Sequence, residues 1–220
     1  MSSRQCKALR LEHVPTPEEV RAFYDTIAAE PGFQAGIYRA DHQCQRFRRL
    51  KELLSIILPF APRVLEVGCG DGLLTRWLAA RADWVVGIDM ARPCIERCRA
   101  LGLSNVAFFH GTLEEYEEKL LESGWYGFDL AIASEVLEHT FDPAEEVARL
   151  GRLASVILAT VPITETPNPD AFSIEAFRHP KKAGDGTGHI WCFRPDTFKA
   201  LFKHIYHYEE IGVSALILGR

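Results

Sequence analysis

The sequence predicts an α/β fold, a doubly wound and mostly parallel sheet with helices on both faces, and three observations carry the prediction. Strand-length apolar runs alternate with amphipathic helical stretches between residues 62 and 162, a rhythm that calls for right-handed crossovers. The run at residues 64–67 breaks off in "VGCGDG", and an amphipathic pattern with Leu73, Leu74, Trp77 and Leu78 begins at once. The chain closes on two apolar stretches, "YEEIGVS" and "ALILG", which a short turn at Ser214 makes into an antiparallel hairpin.

The first helix is marked by Thr16-Pro17-Glu18-Glu19: an N-cap, a proline at the first helical position and a carboxylate three residues after the cap. It should run to about Ala29, where "EPGFQAG" breaks it. A second helix, from about Asp41 to Leu58, shows Phe47, Leu50, Leu54, Ile57 and Leu58 on one face and is stopped by Pro59 and Pro62. Strands follow at residues 84–89, 105–111, 128–134 and 155–162. Between them the periodicity predicts helices from Arg92-Pro93 to Leu101, over "LEEYEEKLLES" and over "DPAEEVARLGRL". Residues 163–190, punctuated by prolines and glycines, read as a lid, since long loops inside compact domains are usually functional or disordered. A last helix, "DTFKALFKHI", precedes the hairpin. The chain thus divides into an N-terminal helical segment, 1–45, that covers the cleft, and one domain, 46–220.

A length of 220 residues, 47% of them hydrophobic, suffices for one sizeable core with a lid but not for a second full domain. The formal net charge of −5 opposes a broad phosphate-binding surface, so nucleic acid is not favoured as a partner. Six cysteines without a C-x-x-C pair, and no signal-like leader, point to reduced thiols and a cytoplasmic setting. Cys94 and Cys98 lie one helical turn apart, but no second pair completes a tetrahedral site. No apolar run reaches the roughly 18 to 20 residues of a membrane span, so no membrane partner is expected. Composition leaves the oligomeric state open.

A strand, a glycine turn and a helix together offer backbone N–H groups and bare chain to a ligand at the carboxyl edge of the sheet. A dinucleotide fingerprint, G-x-G-x-x-G, needs a small residue at position 73, where Leu73 stands. Charge points the same way: Asp71 on the loop and Glu66 beneath it repel a pyrophosphate and attract a cation. S-adenosylmethionine (SAM) carries a sulfonium and an ammonium. Asp89 ends the second strand where its carboxylate can accept from both ribose hydroxyls, though NAD enzymes place an acid there too.

In "VLEVGCGDG", "VVGIDM" and "FDLAIASEVLEH" the chain resembles the class I, Rossmann-like SAM-dependent methyltransferases of small-molecule type, over about residues 45–162. The resemblance implies a seven-stranded sheet of order 3-2-1-4-5-7-6 with the last strand antiparallel. It implies that Glu66, Gly68, Cys69 and Gly70 hold the methionine part, Asp89 the ribose and Met90 one face of adenine. Thr112 and Leu113 would meet the adenine edge, and Ser134 would contribute backbone near the sulfonium. Thr112 stands where the family often has Asp, and "GRLAS" where it often has "PGG".

The acceptor side is less constrained. Methyl transfer from a sulfonium needs mainly alignment and exclusion of water, and a hydroxyl acceptor additionally needs a base or a metal. Glu135, Glu138 and His139 follow the fourth strand at the mouth of the cleft, and His189 ends the long excursion. Similar E-x-x-E-H segments occur in ubiquinone-type O-methyltransferases and in Hen1-type RNA 2'-O-methyltransferases, where they help bind a divalent ion. The sequence reading takes His139 and His189 as catalytic, with turnover rising through a pKa near 6.5. It puts a metal held by Glu135, Glu138, His139 and His189 second, because three of the four come from one short segment. Phe172, Phe177, Trp191 and Phe193 are candidate walls of an acceptor pocket, and Tyr24 and Tyr38 candidates to close it from the other side. The expected activity is SAM-dependent methylation of a small molecule, most readily at oxygen; the alternatives are an RNA 2'-O-methyltransferase and an NAD-type oxidoreductase.

Overall fold

A computed structural model of the chain describes residues 9–10, 14–29, 41–123, 127–163 and 188–220. The expected lid therefore lies outside the described residues except at its two ends, and so do Tyr38, Phe172 and Phe177. A short strand β1 (Leu9–Arg10) precedes helices α1 (Pro17–Ala28) and α2 (Asp41–Ile57). Next come β2 (Arg63–Val67), α3 (Leu73–Ala79), β3 (Trp84–Asp89), α4 (Arg92–Arg99), β4 (Val106–His110), α5 (Leu113–Ser123), β5 (Phe128–Ser134), α6 (Pro143–Leu153) and β6 (Ala154–Pro162). After the undescribed stretch, β7 (Trp191–Cys192), α7 (Pro195–Lys199), β8 (Ile205–Ile211) and β9 (Ser214–Gly219) complete the chain.

The main sheet has seven strands in the order β4-β3-β2-β5-β6-β9-β8. Numbered within that sheet the order is 3-2-1-4-5-7-6. The pairs from β4 through to β6 are parallel, and β9 runs antiparallel to both β6 and β8. β1 pairs antiparallel with β7 as a separate two-stranded sheet. On one face Leu65, Val86, Ala131 and Ile157 pack against Leu113, Tyr116 and Leu120 of α5 and Val147, Leu150 and Leu153 of α6. On the other, Val64, Val85, Leu130, Ile132 and Leu158 pack against Leu50 and Leu54 of α2 and Leu74 and Leu78 of α3. The strands read as continuous apolar runs because both faces are covered.

Local chemistry sets the helix starts. The Thr16 side chain caps the Glu19 N–H while the Glu19 carboxylate accepts from the Thr16 N–H, and the Asp142 carboxylate accepts from the N–H groups of Ala144 and Glu145 to open α6. Two expectations are corrected. The helix expected over residues 196–205 stops at Lys199, because His204 and Arg220 exchange backbone hydrogen bonds and Ile205 already pairs with Gly219 in the sheet. The hairpin turns at Gly212–Val213 and not at Ser214: Gly212 has φ 61°, as the first position of a II′ turn demands, and Ser214 is paired with both Pro162 and Ile211. Among the described residues no helix is long and apolar enough to cross a membrane.

Candidate functional site

The glycine turn sits at the carboxyl end of β2, beside that of β3. Gly68 has φ 71°, and a Cβ on it would fall 2.5 Å from Val136 Cγ2, so both the backbone angle and the close approach require glycine. The N–H groups of Gly68 and Cys69 donate to the Ile88 carbonyl at 2.8 and 3.0 Å. Asp89 organises the rest: one carboxylate oxygen accepts from Gly70 N–H and the other from Ala91 N–H, both at 2.8 Å. Burial pushes Asp89 upward against those two bonds, and each oxygen keeps a lone pair for a ligand. Glu66 lies beneath the turn, 3% exposed, accepts from Thr75 Oγ1 at 2.6 Å, and is pushed by burial up to about 8. Without a cation beside it, Glu66 is mostly protonated at neutral pH.

The charge argument for Asp71 is corrected: its carboxylate is paired with Arg97 at 2.6 Å, and Arg97 also donates to the Ala28 carbonyl of α1. Its charge is thus largely offset within the protein, and Glu66 and Asp89 remain as the acids that face the turn. Thr112 is engaged as the cap of α5, with its hydroxyl accepting from Glu115 N–H and its own N–H donating to Glu115. Leu113 turns its side chain into the main core and Cys69 into a buried cluster with Ile95 and Cys98, so at either position a ligand would meet backbone. Met90 is partly buried, packs near Val20, Phe23 and Ile190, and its carbonyl accepts from His110 Nε2. Helix α1 sits over this edge: Asp25 accepts from Arg92 N–H, and Arg21 pairs with Glu115.

The second half of the site follows β5. Arg46, on α2 and only 2% exposed, donates to Ser134 Oγ at 2.6 Å and Thr160 Oγ1 at 3.3 Å and lies 3.7 Å from Glu135. Glu135 also accepts from Thr160 Oγ1 and holds φ 57°, a left-handed conformation rare outside glycine that the surrounding bonds enforce. Sequence reasoning missed Arg46, one of three arginines in "RFRR", because nothing in a helical pattern marks which arginine turns inward. Glu135 is therefore held in the Arg46 network, and the groups that do converge are Glu138, His139 and His189, whose ligand-type atoms lie within 4.8 Å of one another. Glu138 is 1% exposed, and among the described residues neither carboxylate oxygen has a hydrogen-bond partner. His139 donates Nδ1–H to the Gly188 carbonyl at 2.9 Å, which leaves its Nε2 lone pair 3.7 Å from Glu138. The Ile190 N–H donates to the Glu138 carbonyl, tying the far end of the expected lid to this loop. Trp191 donates to the Thr140 carbonyl, whereas Phe193 is a core residue beside Phe198 and not a pocket wall.

Burial depresses both imidazoles, His139 to about 4 and His189 well below its usual value, while burial and then the Glu135 charge raise Glu138. A buried base must shed its proton to enter a low-dielectric site, and a buried acid must keep it. The limb near pH 6.5 is accordingly corrected. If His139 Nε2 takes up the acceptor's proton, kcat/KM should rise through about pH 4 and stay flat through 6.5. A pH profile of turnover checks this, and a clear limb at 6.5 would show a solvated imidazole.

The model of a methyltransferase-domain family matches residues 38–205 of the chain. The chain belongs to that family. With that, the dinucleotide oxidoreductase alternative falls. The chain is 37% identical over 122 residues to the ubiquinone biosynthesis O-methyltransferase of Hahella chejuensis, a match over 54% of this chain and 45% of that relative. It spans about half the length of the curated relatives it matches. Its fold is that of the DhpI–SAM–HEP complex (TM-score 0.65, 18% identity, 94% of this chain and 100% of that one). It is also that of magnesium protoporphyrin IX methyltransferase from Synechocystis with bound S-adenosylhomocysteine (SAH) (TM-score 0.66, 15% identity, 92% and 98%).

Proposed function

We propose that the chain is a SAM-dependent methyltransferase that transfers a methyl group to an oxygen of a small-molecule acceptor. The observation that carries this reading is the cluster of Glu138, His139 and His189, at the carboxyl edge that also bears the glycine turn, in which the Glu138 carboxylate has no hydrogen-bond partner among the described residues. The residues fit SAM: Asp89 keeps lone pairs for two ribose hydroxyls, and Glu66 ionises beside a cation. Glu66, Gly68, Cys69, Gly70, Asp89, Met90, Thr112, Leu113 and Ser134 are its proposed contacts, with Cys69 and Leu113 acting through backbone.

When bound, SAM supplies a methyl on a sulfonium that leaves readily. The protein aligns the acceptor and excludes water, and His139 Nε2 is an unprotonated acceptor for the hydroxyl's proton. The same cluster fits a divalent cation, as two imidazoles and a carboxylate with open positions remaining. Glu138, His139 and His189 would hold it, and it would lower the pKa of an acceptor hydroxyl. O-methyltransferase relatives support oxygen as the acceptor atom, and the net charge of −5 favours a small molecule over RNA. Residues 163–190 are proposed as the lid, since Gly188 near its far end accepts a hydrogen bond from His139. A reducing, cytoplasmic setting belongs to the same proposal and is supported by six cysteines without a C-x-x-C pair.

Calorimetry should detect SAM and SAH binding at micromolar levels or better and no heat with NAD. A screen of SAM consumption over a metabolite library, with product masses, should then return an acceptor 14 mass units heavier. Binding of NAD without any response to SAM would refute the reading.

A further inference from the structure

Helix α1 lies before the matched family region, which begins at residue 38, yet it carries a polar group into the site. The Tyr24 hydroxyl is buried and has no hydrogen-bond partner among the described residues. Its ring meets His139 edge to face at 5.7 Å and Phe23 at 5.1 Å, and a Cβ on Gly188 would stand 3.3 Å from its oxygen. A phenol is a hydrogen-bond donor as well as an acceptor, so this buried O–H has a hydrogen to offer to a bound group. A buried O–H without a partner forfeits the full cost of its dehydration. A second such group, Glu138, lies on the other side of the His139 contact, 3.7 Å from His139 Nε2.

We infer that Tyr24 is a catalytic residue of the acceptor site, whose phenolic O–H donates to the acceptor's reacting oxygen while Glu138 and His139 Nε2 accept from that oxygen's own proton. This rests on the methyltransferase reading and deepens it. The set is complementary to a hydroxyl, which donates one hydrogen and accepts others; an ammonium has no lone pair to take the Tyr24 hydrogen. As transfer proceeds the oxygen–carbon bond forms while the carbon–sulfur bond breaks, and the acceptor's proton passes to Glu138 or His139. Tyr24 keeps its proton throughout. Its neighbours place it on the acceptor side: the His139 ring packs against it and Gly188 lies beside its oxygen.

The test is Tyr24→Phe, which keeps the ring against Phe23 and His139 and removes one hydrogen bond. SAM and SAH dissociation constants, read by calorimetry, should stay within about twofold of the parent. Phenol, used as a minimal aromatic hydroxyl on the SAH-loaded protein and followed by NMR titration, should bind about 3- to 10-fold more weakly to the variant. With the acceptor from the metabolite screen, kcat should fall about 10- to 100-fold, more than KM rises, because the bond strengthens as charge grows on the oxygen. Melting temperature serves as the folding control. Equal phenol affinity in the two proteins, no phenol binding by the parent, or a loss confined to SAM affinity would each overturn the inference. Failure of the parent protein to bind SAM would instead overturn the reading beneath it.

Discussion

Asp89→Ala should cost the protein most of its SAM affinity, with the dissociation constant rising about 10²- to 10⁴-fold, since two charge-assisted ribose hydrogen bonds are worth on the order of 1.5 to 3 kcal/mol each. The same substitution orphans the N–H groups of Gly70 and Ala91, the two bonds that hold the glycine turn against the end of β3. Asp89 is therefore both a ligand and a brace, and a conservative variant separates the two roles. Asp89→Asn keeps a carbonyl oxygen for one N–H but brings an NH₂ to the other, and it lacks the charge that strengthens the ribose bonds. Its melting temperature should lie between those of the parent and Asp89→Ala, and its SAM affinity closer to that of Asp89→Ala. An unchanged dissociation constant in both variants would place the ribose elsewhere.

The sheet was legible because its determinants are local. Thr16 and Pro17, the apolar runs at residues 64–67 and 85–88 and the glycines at 68, 70 and 72 each act within a few residues, and the family's strand order then fixes how the strands neighbour one another. The losses fall where distant chain competes with local propensity. "DTFKALFKHI" has a helical pattern, but from His204 onward pairing with β9 takes the backbone. Asp71 looked like a free anion on the loop because Arg97 lies 26 residues away and reaches it from another helix. Glu135 looked like a ligand by its spacing with Glu138, yet Arg46 and Thr160 hold it and its backbone sits at φ 57°. Spacing can place residues on one loop, but the direction each side chain takes is decided by partners from α2 and β6.

Glu138→Gln should reduce turnover by about 10²- to 10⁴-fold, the range for removing a proton-transfer or ligand group, and leave SAM affinity nearly unchanged. Both carboxylate oxygens are buried without a hydrogen-bond partner among the described residues, and burial and the Glu135 charge hold the pKa up, so an isolated Glu138 stays protonated until the pH passes its raised pKa. The sign follows: turnover that needs the carboxylate should rise with pH through that raised value, and the rise should vanish in Glu138→Gln. Ionising the group also costs stability, since its folded pKa exceeds its unfolded one; stability is greatest below the unfolded value and falls as pH rises toward the folded one. A divalent cation would reverse that balance. The His139 Nδ1–H bond to the Gly188 carbonyl already turns Nε2 toward Glu138, the orientation that ligating histidines take from such a partner. If the cluster holds such a cation, EDTA should abolish turnover, and Zn²⁺ or Mn²⁺ titrated into the chelated protein should bind with proton release and raise its melting temperature. Those effects should be lost in Glu138→Gln and His189→Ala and kept in a Glu135→Gln variant. Turnover that survives EDTA yet still collapses in Glu138→Gln would instead leave the carboxylate as the direct proton acceptor, with no metal in the site.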